Sequence, residues 1–308
     1  MPKCAFLFPG QGSQYVGMGK EIAENHQEAM ECFRKADEIL GYDLTDLIFN
    51  GSEDELRQTE VTQPAILTVS MAIMAVLQKE GIRPEAAAGL SLGEYSGLVC
   101  ADSLSFENAL PLVKKRAGFM QNAVPIGVGG MAAVLGLNST EVESLCRQAL
   151  EHGHVEPANY NCPGQVVVAG NREAVEEVCR LAKERKARAV MLSVSAPFHC
   201  KLLEPVEEQM EQLLQSAEIK QARIPIVANA SASYLEEPEE IRQSLVRQVS
   251  HPVLWEDSMK HLLEDGYDLF IEVGPGRVLT GFMRKISKKV KSQHVEDLET
   301  LERLLKLL

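Results

Sequence analysis

Residues 86–101, AAAGLSLGEYSGLVCA, join a short apolar run to a helical run through a tight turn centred on Ser91. The central GLSLG fits G-x-S-x-G, the nucleophile elbow, in which a strained strand-to-helix turn lifts a serine hydroxyl clear of a sheet. Glycines flank such a turn because a Cβ there would collide with the neighbouring strand or helix. The stretch predicts a strand, a turn and a helix, with Ser91 as candidate nucleophile. A small turn residue without chemistry remains the alternative at this point.

The elements around this turn indicate α/β construction. Three apolar runs end near glycine or alanine, as buried parallel strands do: CAFLFPG (4–10), IPIVANA (224–230) and YDLFIEVGPG (267–276). Residues 61–81 have helical character, with Pro64 near the first turn and Gly81 past the end. We therefore predict an α/β-hydrolase-like core built on a mostly parallel sheet.

A second unit is predicted between residues 127 and 195. Here the order of segments is strand, helix, strand, strand, helix, strand, which is typical of a ferredoxin-like α+β fold. We expect a small ferredoxin-like subdomain at 127–195, inserted into a large domain formed by 1–126 and 196–308. After about residue 284 the charge-rich composition predicts a peripheral helical segment.

Composition narrows the functional class. The 308 residues carry a formal charge of −13, which disfavours binding to nucleic acid or anionic lipid. The seven cysteines are scattered without a CxxC pair, so we expect reduced thiols, no metal site and a cytoplasmic protein. The apolar run at the amino terminus is too short for a signal peptide. The sequence has no apolar run long enough to suggest a membrane span. Without a coiled coil, a monomer is the default expectation.

A serine nucleophile needs a base, and His199 in SVSAPFHCKLL is the best candidate. It follows the last predicted strand of the small subdomain, where the chain returns to the main body. No nearby carboxylate presents itself as a third member, so a backbone carbonyl is expected to orient the imidazole. Polar helical or loop surroundings favour a surface or packing role for five other histidines: His26, His152, His154, His261 and His294.

Two backbone segments are candidates for binding an oxyanion. The residue after a nucleophile elbow normally supplies one N–H, here that of Leu92. The loop FPGQGSQYVGMGKE begins G-x-G, but Tyr15 stands where a dinucleotide-binding loop needs its third glycine. We therefore expect this loop to bring Gln11 to a reacting centre and not to bind a nucleotide.

The motifs together resemble those of the malonyl-CoA:acyl carrier protein transacylases of type II fatty-acid synthesis, and more distantly the acyltransferase domains of polyketide synthases. The resemblance covers essentially the whole chain. It rests on several motifs in the family's order: FPGQGSQ, GLSLGEYS, KKRAGFMQ, APFHC, QVSHPVLW and EVGPGRVLTG.

The resemblance implies a ping-pong transfer of malonyl from malonyl-CoA to the phosphopantetheine thiol of acyl carrier protein, with no cofactor and no metal. The alternative is a trans-acting acyltransferase of polyketide synthesis. Carried over by position, it implies these roles: Ser91 as nucleophile, His199 as base, Gln11 and Leu92 in the oxyanion hole, Arg116 on the malonyl carboxylate, and the Gln248 carbonyl orienting the histidine.

Other features of the sequence leave alternatives open. Arg116 suits a carboxylate because a guanidinium binds it bidentately, yet it is also one of three consecutive basic residues that an exposed helix face would carry. Leu90 stands where many family members have histidine, and Phe198 resembles the malonyl-selective pattern. An esterase would share Ser91 and His199, and a scaffold protein would need neither.

An acidic carrier would need a local basic patch on this acidic protein. Two clusters are candidates and the sequence does not decide between them: Arg277, Arg284, Lys285, Lys288 and Lys289, or Lys183, Arg185, Lys186 and Arg188.

Overall fold

Two β-sheets organise the chain, which the computed structural model describes for residues 2–125, 127–194 and 196–308. Those residues form ten strands: β1 (Cys4–Phe8), β2 (Ala86–Gly89), β3 (Gly129–Leu135), β4 (Val155–Cys162), β5 (Gln165–Asn171), β6 (Arg188–Met191), β7 (Ile226–Val227), β8 (Tyr234–Leu235), β9 (Leu269–Val273) and β10 (Lys291–Val295).

Helices surround the sheets. The described ranges contain fourteen α-helices: α1 (Lys20–Asn25), α2 (Gln27–Leu40), α3 (Leu44–Asn50), α4 (Glu53–Leu56), α5 (Thr59–Lys79), α6 (Gly93–Cys100), α7 (Phe106–Asn122), α8 (Ser139–Ala149), α9 (Arg172–Glu184), α10 (Glu204–Gln215), α11 (Pro238–Gln248), α12 (Trp255–Glu264), α13 (Val278–Ile286) and α14 (Leu298–Leu307).

The larger sheet has six strands in the order β10-β9-β1-β2-β7-β8. All pairs are parallel except β7 with β8. Every residue of β1, β2 and β9 is buried, which explains why these central strands, apart from the buried Glu272 of β9, are apolar without alternation. The predicted α/β fold with a mostly parallel sheet is confirmed.

The smaller sheet is antiparallel, with the order β4-β5-β3-β6. Its chain order is β3-α8-β4-β5-α9-β6, and α8 and α9 pack against the strands. This is the predicted ferredoxin-like arrangement. The boundaries of the small subdomain stay a prediction, because residues 126 and 195, where they fall, lie outside the described residues.

The carboxyl-terminal segment differs from the prediction. Residues Lys291–Val295 were expected to be helical, but they form β10, an edge strand paired in parallel with β9. Only Val295 of this strand is buried, so its side chains carry little of the apolar signal on which a strand prediction depends. The pairing comes from backbone hydrogen bonds to β9, which polar side chains also permit. His294 therefore lies on a strand and not on a helix.

The longest helix, α5, belongs to the core. Its length and mean hydropathy of 1.5 would suffice for a membrane span, but 83% of its most apolar 18-residue window is buried inside the protein. It packs against α2 and α7, so its apolar residues are covered by protein. The composition of α5 thus reflects a core helix.

Glycines at the predicted turn allow three backbone segments to approach closely. A Cβ on Gly89 would overlap the backbone of Gly93, and a Cβ on Gly93 would overlap the carbonyl of Phe8. A Cβ on Gly10 would overlap the carbonyl of Leu90. The end of β1, the end of β2 and the start of α6 can meet only because these side chains are absent.

Replacement of Gly89 by alanine should therefore lower the free energy of unfolding by about 3 kcal/mol, since backbone and not a flexible side chain must move. The matched control is Gly281→Ala in α13, where a Cβ meets nothing within 4 Å. Because alanine favours a helix, that change should raise stability by up to about 1 kcal/mol. Urea denaturation of both variants measures the difference, and equal stabilities would contradict the close-packing argument.

Candidate active site

Ser91 lies in the turn between β2 and α6 with a backbone φ of 55°. A non-glycine residue in this left-handed region is strained, and surrounding contacts must hold it. Asn229, just after β7, supplies them: its Oδ1 accepts the Ser91 N–H at 2.6 Å and its Nδ2 donates to the Gly89 carbonyl at 2.7 Å. One side chain thus holds both sides of the turn.

His199 reaches Ser91 although 108 residues separate them. Its Nε2 lies 2.7 Å from Ser91 Oγ, and its Nδ1 lies 2.8 Å from the backbone carbonyl of Gln248. Since a carbonyl only accepts, Nδ1 carries the proton and Nε2 is free to accept one from the serine. Burial, and secondly the Arg116 charge, lower the pKa of His199 to about 4, so the imidazole is neutral at pH 7.

The Arg116 side chain is fully buried in the site. Its Nη1 donates to Gln63 Oε1 at 2.7 Å, and its Nη2 lies 2.9 Å from Gln248 Oε1 and 3.2 Å from Ser91 Oγ. The exposed-face interpretation is therefore wrong for Arg116. Burial lowers its pKa, yet no carboxylate of the described residues lies within ion-pairing distance of the guanidinium. A buried cation that makes no direct ion pair is a site for an external anion.

The side-chain amide of Gln248 connects this cation to a buried carboxylate. While its Oε1 accepts from Arg116, its Nε2 donates to Glu94 Oε2 at 2.9 Å and to the Ser91 carbonyl at 2.9 Å. Glu94 Oε2 also accepts the Asn229 N–H at 3.0 Å. Burial raises the pKa of the Glu94 carboxyl to about 7.

A cleft of about 260 Å³ opens above Ser91 and His199, between the two sheets. Gln11 lies on its wall, and its Nε2 donates to Thr59 Oγ1 at 3.3 Å. Among the described residues, neither the Gln11 nor the Leu92 backbone N–H donates to a protein acceptor. Both amides are therefore available to a ligand, and their role in an oxyanion hole stays a prediction.

Two residues singled out in the sequence also line this cleft. Leu90 packs beside Gly10, and Phe198 directly precedes the base His199 in the motif APFHC. The smaller sheet contributes the other side of the cleft through strand residues that include Met131, Asn159, Asn161 and Val167. The cleft is thus largely apolar, with polar side chains both near Ser91 and on the smaller sheet.

The remaining sequence candidates lie elsewhere. Both basic clusters are exposed, and α13, which carries part of the first, begins at the cleft with Val278 and Leu279. In the part of the chain that the structure describes, no three His, Cys, Asp or Glu side chains are grouped to hold a metal. All seven cysteines are free.

Sequence reasoning missed three residues of the site: Gln63, Glu94 and Asn229. Glu94 belongs to the quoted elbow, and its position three residues after Ser91 on an apolar helix was a visible signal. Asn229 is the next-to-last residue of the predicted strand IPIVANA, so a polar side chain near the carboxyl end of a parallel strand was also a usable signal. Gln63 offers none, since its neighbours are those of an ordinary core helix.

Comparison with known proteins agrees with this geometry. The family model described as acyl transferase domain matches residues 5–304. The malonyl CoA-acyl carrier protein transacylase of Bacillus subtilis (strain 168) is 45% identical over 304 residues, which cover 98% of this chain and 96% of that protein.

Solved structures agree as well. A malonyl CoA-acyl carrier protein transacylase of Clostridium perfringens superposes with a TM-score of 0.96 at 44% identity, covering 99% of this chain and 96% of that one. A malonyl-transacylase in complex with a type II polyketide synthase acyl-carrier protein gives 0.97 at 40% identity, covering 99% and 100%. With these matches along nearly its whole length, the chain belongs to the acyl transferase family that includes the malonyl CoA-acyl carrier protein transacylases.

Proposed function

We propose that this acyltransferase moves a malonyl group from malonyl-CoA to the phosphopantetheine thiol of an acyl carrier protein and so supplies extender units for fatty-acid synthesis. The observation that carries the proposal is the fully buried Arg116, which has no carboxylate partner and lies 3.2 Å from the Ser91 hydroxyl. Such a cation beside a nucleophile selects acyl groups that bring their own carboxylate. The names of the relatives support malonyl as that group.

Acylation begins with the Ser91–His199 pair. His199 Nε2 accepts the Ser91 proton while Oγ attacks the thioester carbon, and the Gln248 carbonyl stabilises the imidazolium through Nδ1–H. The Leu92 and Gln11 backbone amides are proposed to bind the oxyanion. CoA then takes the proton from His199 and leaves as the thiol, and a malonyl ester remains on Ser91.

The second half-reaction reverses the first with another thiol. The carrier's phosphopantetheine thiol gives its proton to His199 and attacks the malonyl ester, and Ser91 leaves with the proton that His199 returns to its oxygen. Every bond in this scheme is made by the chain, the thioester or the thiol, so the scheme requires neither a cofactor nor a metal. The apolar walls of the cleft reduce the number of polar groups that could orient a competing water.

Two other functions share part of this site. An esterase would use Ser91 and His199 in the same way, but it gives no reason to bury an unpaired guanidinium beside the serine. A polyketide carrier is the second candidate, because one matching transacylase was solved with a type II polyketide synthase carrier. We also propose that the protein acts as a monomer in the cytoplasm, consistent with its free thiols and its buried α5.

Incubation with malonyl-CoA should add one malonyl group to Ser91, detected by intact and peptide mass spectrometry. Adding a purified fatty-acid or polyketide carrier should then remove the adduct and malonylate the carrier. The Ser91→Ala variant should show neither event. Ser96→Ala removes the hydroxyl of a buried serine on α6, the helix that follows Ser91, and should retain both. Release of free malonate with no malonylated carrier would support an esterase.

Arg116→Ala should lower kcat/KM for malonyl-CoA by about 100-fold, because charge-assisted hydrogen bonds contribute about 1.5–3 kcal/mol. Acetyl-CoA has no carboxylate, so its kcat/KM should fall far less and the preference should reverse. Arg83→Ala, a change at an exposed arginine, is the matched control and should alter neither value. Undiminished malonyl selectivity in Arg116→Ala would remove the basis of the proposal.

The acid side of the pH profile should report the buried base. With a pKa of about 4, His199 stays neutral down to about pH 5.5, where an ordinary histidine of pKa 6.5 would leave about a tenth in the basic form. Acylation by malonyl-CoA, measured as kcat/KM, should therefore change less than about twofold between pH 7 and 5.5. In Arg116→Ala one cause of the low pKa is gone, so the decline with acetyl-CoA should begin at higher pH. An acid limb near pH 6.5 in the unmodified protein would contradict this.

A further inference from the structure

The proposed reaction does not use Glu94, although this carboxyl is fully buried in the same network as the nucleophile. Its Oε2 accepts two hydrogen bonds, from Gln248 Nε2 and Asn229 N, whereas Oε1 has no hydrogen-bond partner among the described residues. If Glu94 were only a structural hydrogen-bond acceptor, there would be no reason to bury its second carboxylate oxygen without a partner.

Glu94 and Arg116 are the two charged side chains linked by the Gln248 amide. Oε1 of that amide accepts from the cation and Nε2 donates to the carboxylate, so the amide dipole is aligned between opposite charges without a direct ion pair. In the free enzyme with Glu94 ionised, the buried network is therefore balanced, with one positive and one negative charge. Arg116 Nη2 also lies within hydrogen-bond distance of Ser91 Oγ, and its Nε has no hydrogen-bond partner among the described residues.

An acyl group that carries a carboxylate upsets this balance. Bound at Arg116, it would place a second negative charge in the same buried network, and like charges in a buried site favour protonation of one of them. Burial already raises the pKa of Glu94 to about 7, so a further rise makes it neutral near physiological pH. The acyl carboxylate then takes over as the counter-ion of the guanidinium.

The other titratable groups of the network do not take this role. Arg116, on α7, is already charged. Burial raises the pKa of Tyr95, next to Glu94 on α6, so its phenol is already protonated. His199 is joined to the network through Ser91 and the Gln248 carbonyl, and its pKa of about 4 keeps it neutral.

Resting on the proposed function, we propose that Glu94 is a positioning residue that balances Arg116 in the free enzyme and binds a proton from solvent when a carboxylate-bearing acyl group is loaded onto Ser91. The proton goes to Oε1, the oxygen that accepts no hydrogen bond, and the two bonds to Oε2 keep Gln248 and Asn229 in place. Loading of a dicarboxylic acyl group is thus coupled to proton uptake, and loading of a monocarboxylic one is not.

Acylation itself makes this measurable, because it is nearly proton-neutral. The serine loses one proton and the departing thiol gains one, provided that the pH is below an ordinary thiol pKa of about 8.5. Net proton uptake therefore measures the change in protonation of the buried network that contains Glu94. At pH 7, a carboxyl of pKa about 7 is half protonated beforehand, so we expect about half a proton per malonylated Ser91, rising toward one at pH 8 and falling to about a tenth at pH 6.

The experiment mixes the enzyme with malonyl-CoA in weak buffer containing a pH indicator and counts adducts in the same sample by mass spectrometry. Glu94→Gln retains an oxygen for both hydrogen bonds but cannot be protonated, so it should be malonylated without the uptake. Glu272→Gln is the matched control. Glu272 is also buried with a pKa raised to about 7, but it accepts the Leu279 and Thr280 amides, and its replacement should leave the uptake unchanged.

Uptake by the unmodified protein with malonyl-CoA, but not with acetyl-CoA, supports the inference even if Glu94→Gln fails to fold. Stoichiometric malonylation without uptake, equal uptake with both acyl groups, or undiminished uptake in Glu94→Gln would overturn it while leaving the proposed function intact. No adduct on Ser91 in the unmodified protein would instead contradict the proposed function, and this inference with it.

Discussion

The close backbone contact between the start of α6 and the ends of β1 and β2 is the constraint on which the site depends. Gly93 lies against the Phe8 carbonyl, and Gly89 lies against Gly93, with no room for a Cβ at either glycine. This contact forces Ser91 into the left-handed region and sets its hydroxyl at the floor of the cleft. A wider separation would relax the turn, and His199 and Arg116 would then no longer meet at one oxygen.

The second organising feature is a set of buried charged side chains that hydrogen bonds through Gln248 link without a direct ion pair. Gln248 uses its backbone carbonyl for His199 and its side-chain amide for Arg116 and Glu94. Low dielectric strengthens each of these interactions and makes an unbalanced charge costly. The same residue thereby couples the base to the cation. In the proposed reaction, acyl binding at Arg116 and proton transfer at His199 would therefore depend on one hydrogen-bond network.

Much of the fold was predictable because its signals are local. The apolar runs that became β1, β2 and β9 are buried on both faces, and the segment order of the small sheet was readable from alternating strand and helix patterns. The strand β10 was missed because its side chains are mostly polar and its pairing rests on the backbone of β9. The same limit applies in the site, where Gln63 on α5 has no local feature that distinguishes it from other core residues.

By itself, the sequence determined the turn at Ser91, since spacing of glycines around a serine is a property of a few adjacent residues. It also marked His199, Gln11 and Leu92 as candidates, and the resemblance of its motifs to a known family added Arg116 and Gln248. Only the tertiary structure decided that Arg116 is buried and unpaired, that Asn229 holds the turn, and that Glu94 faces the cation through Gln248. These contacts join residues up to 154 positions apart. Strand order and helix packing bring them together, and no local pattern encodes that placement.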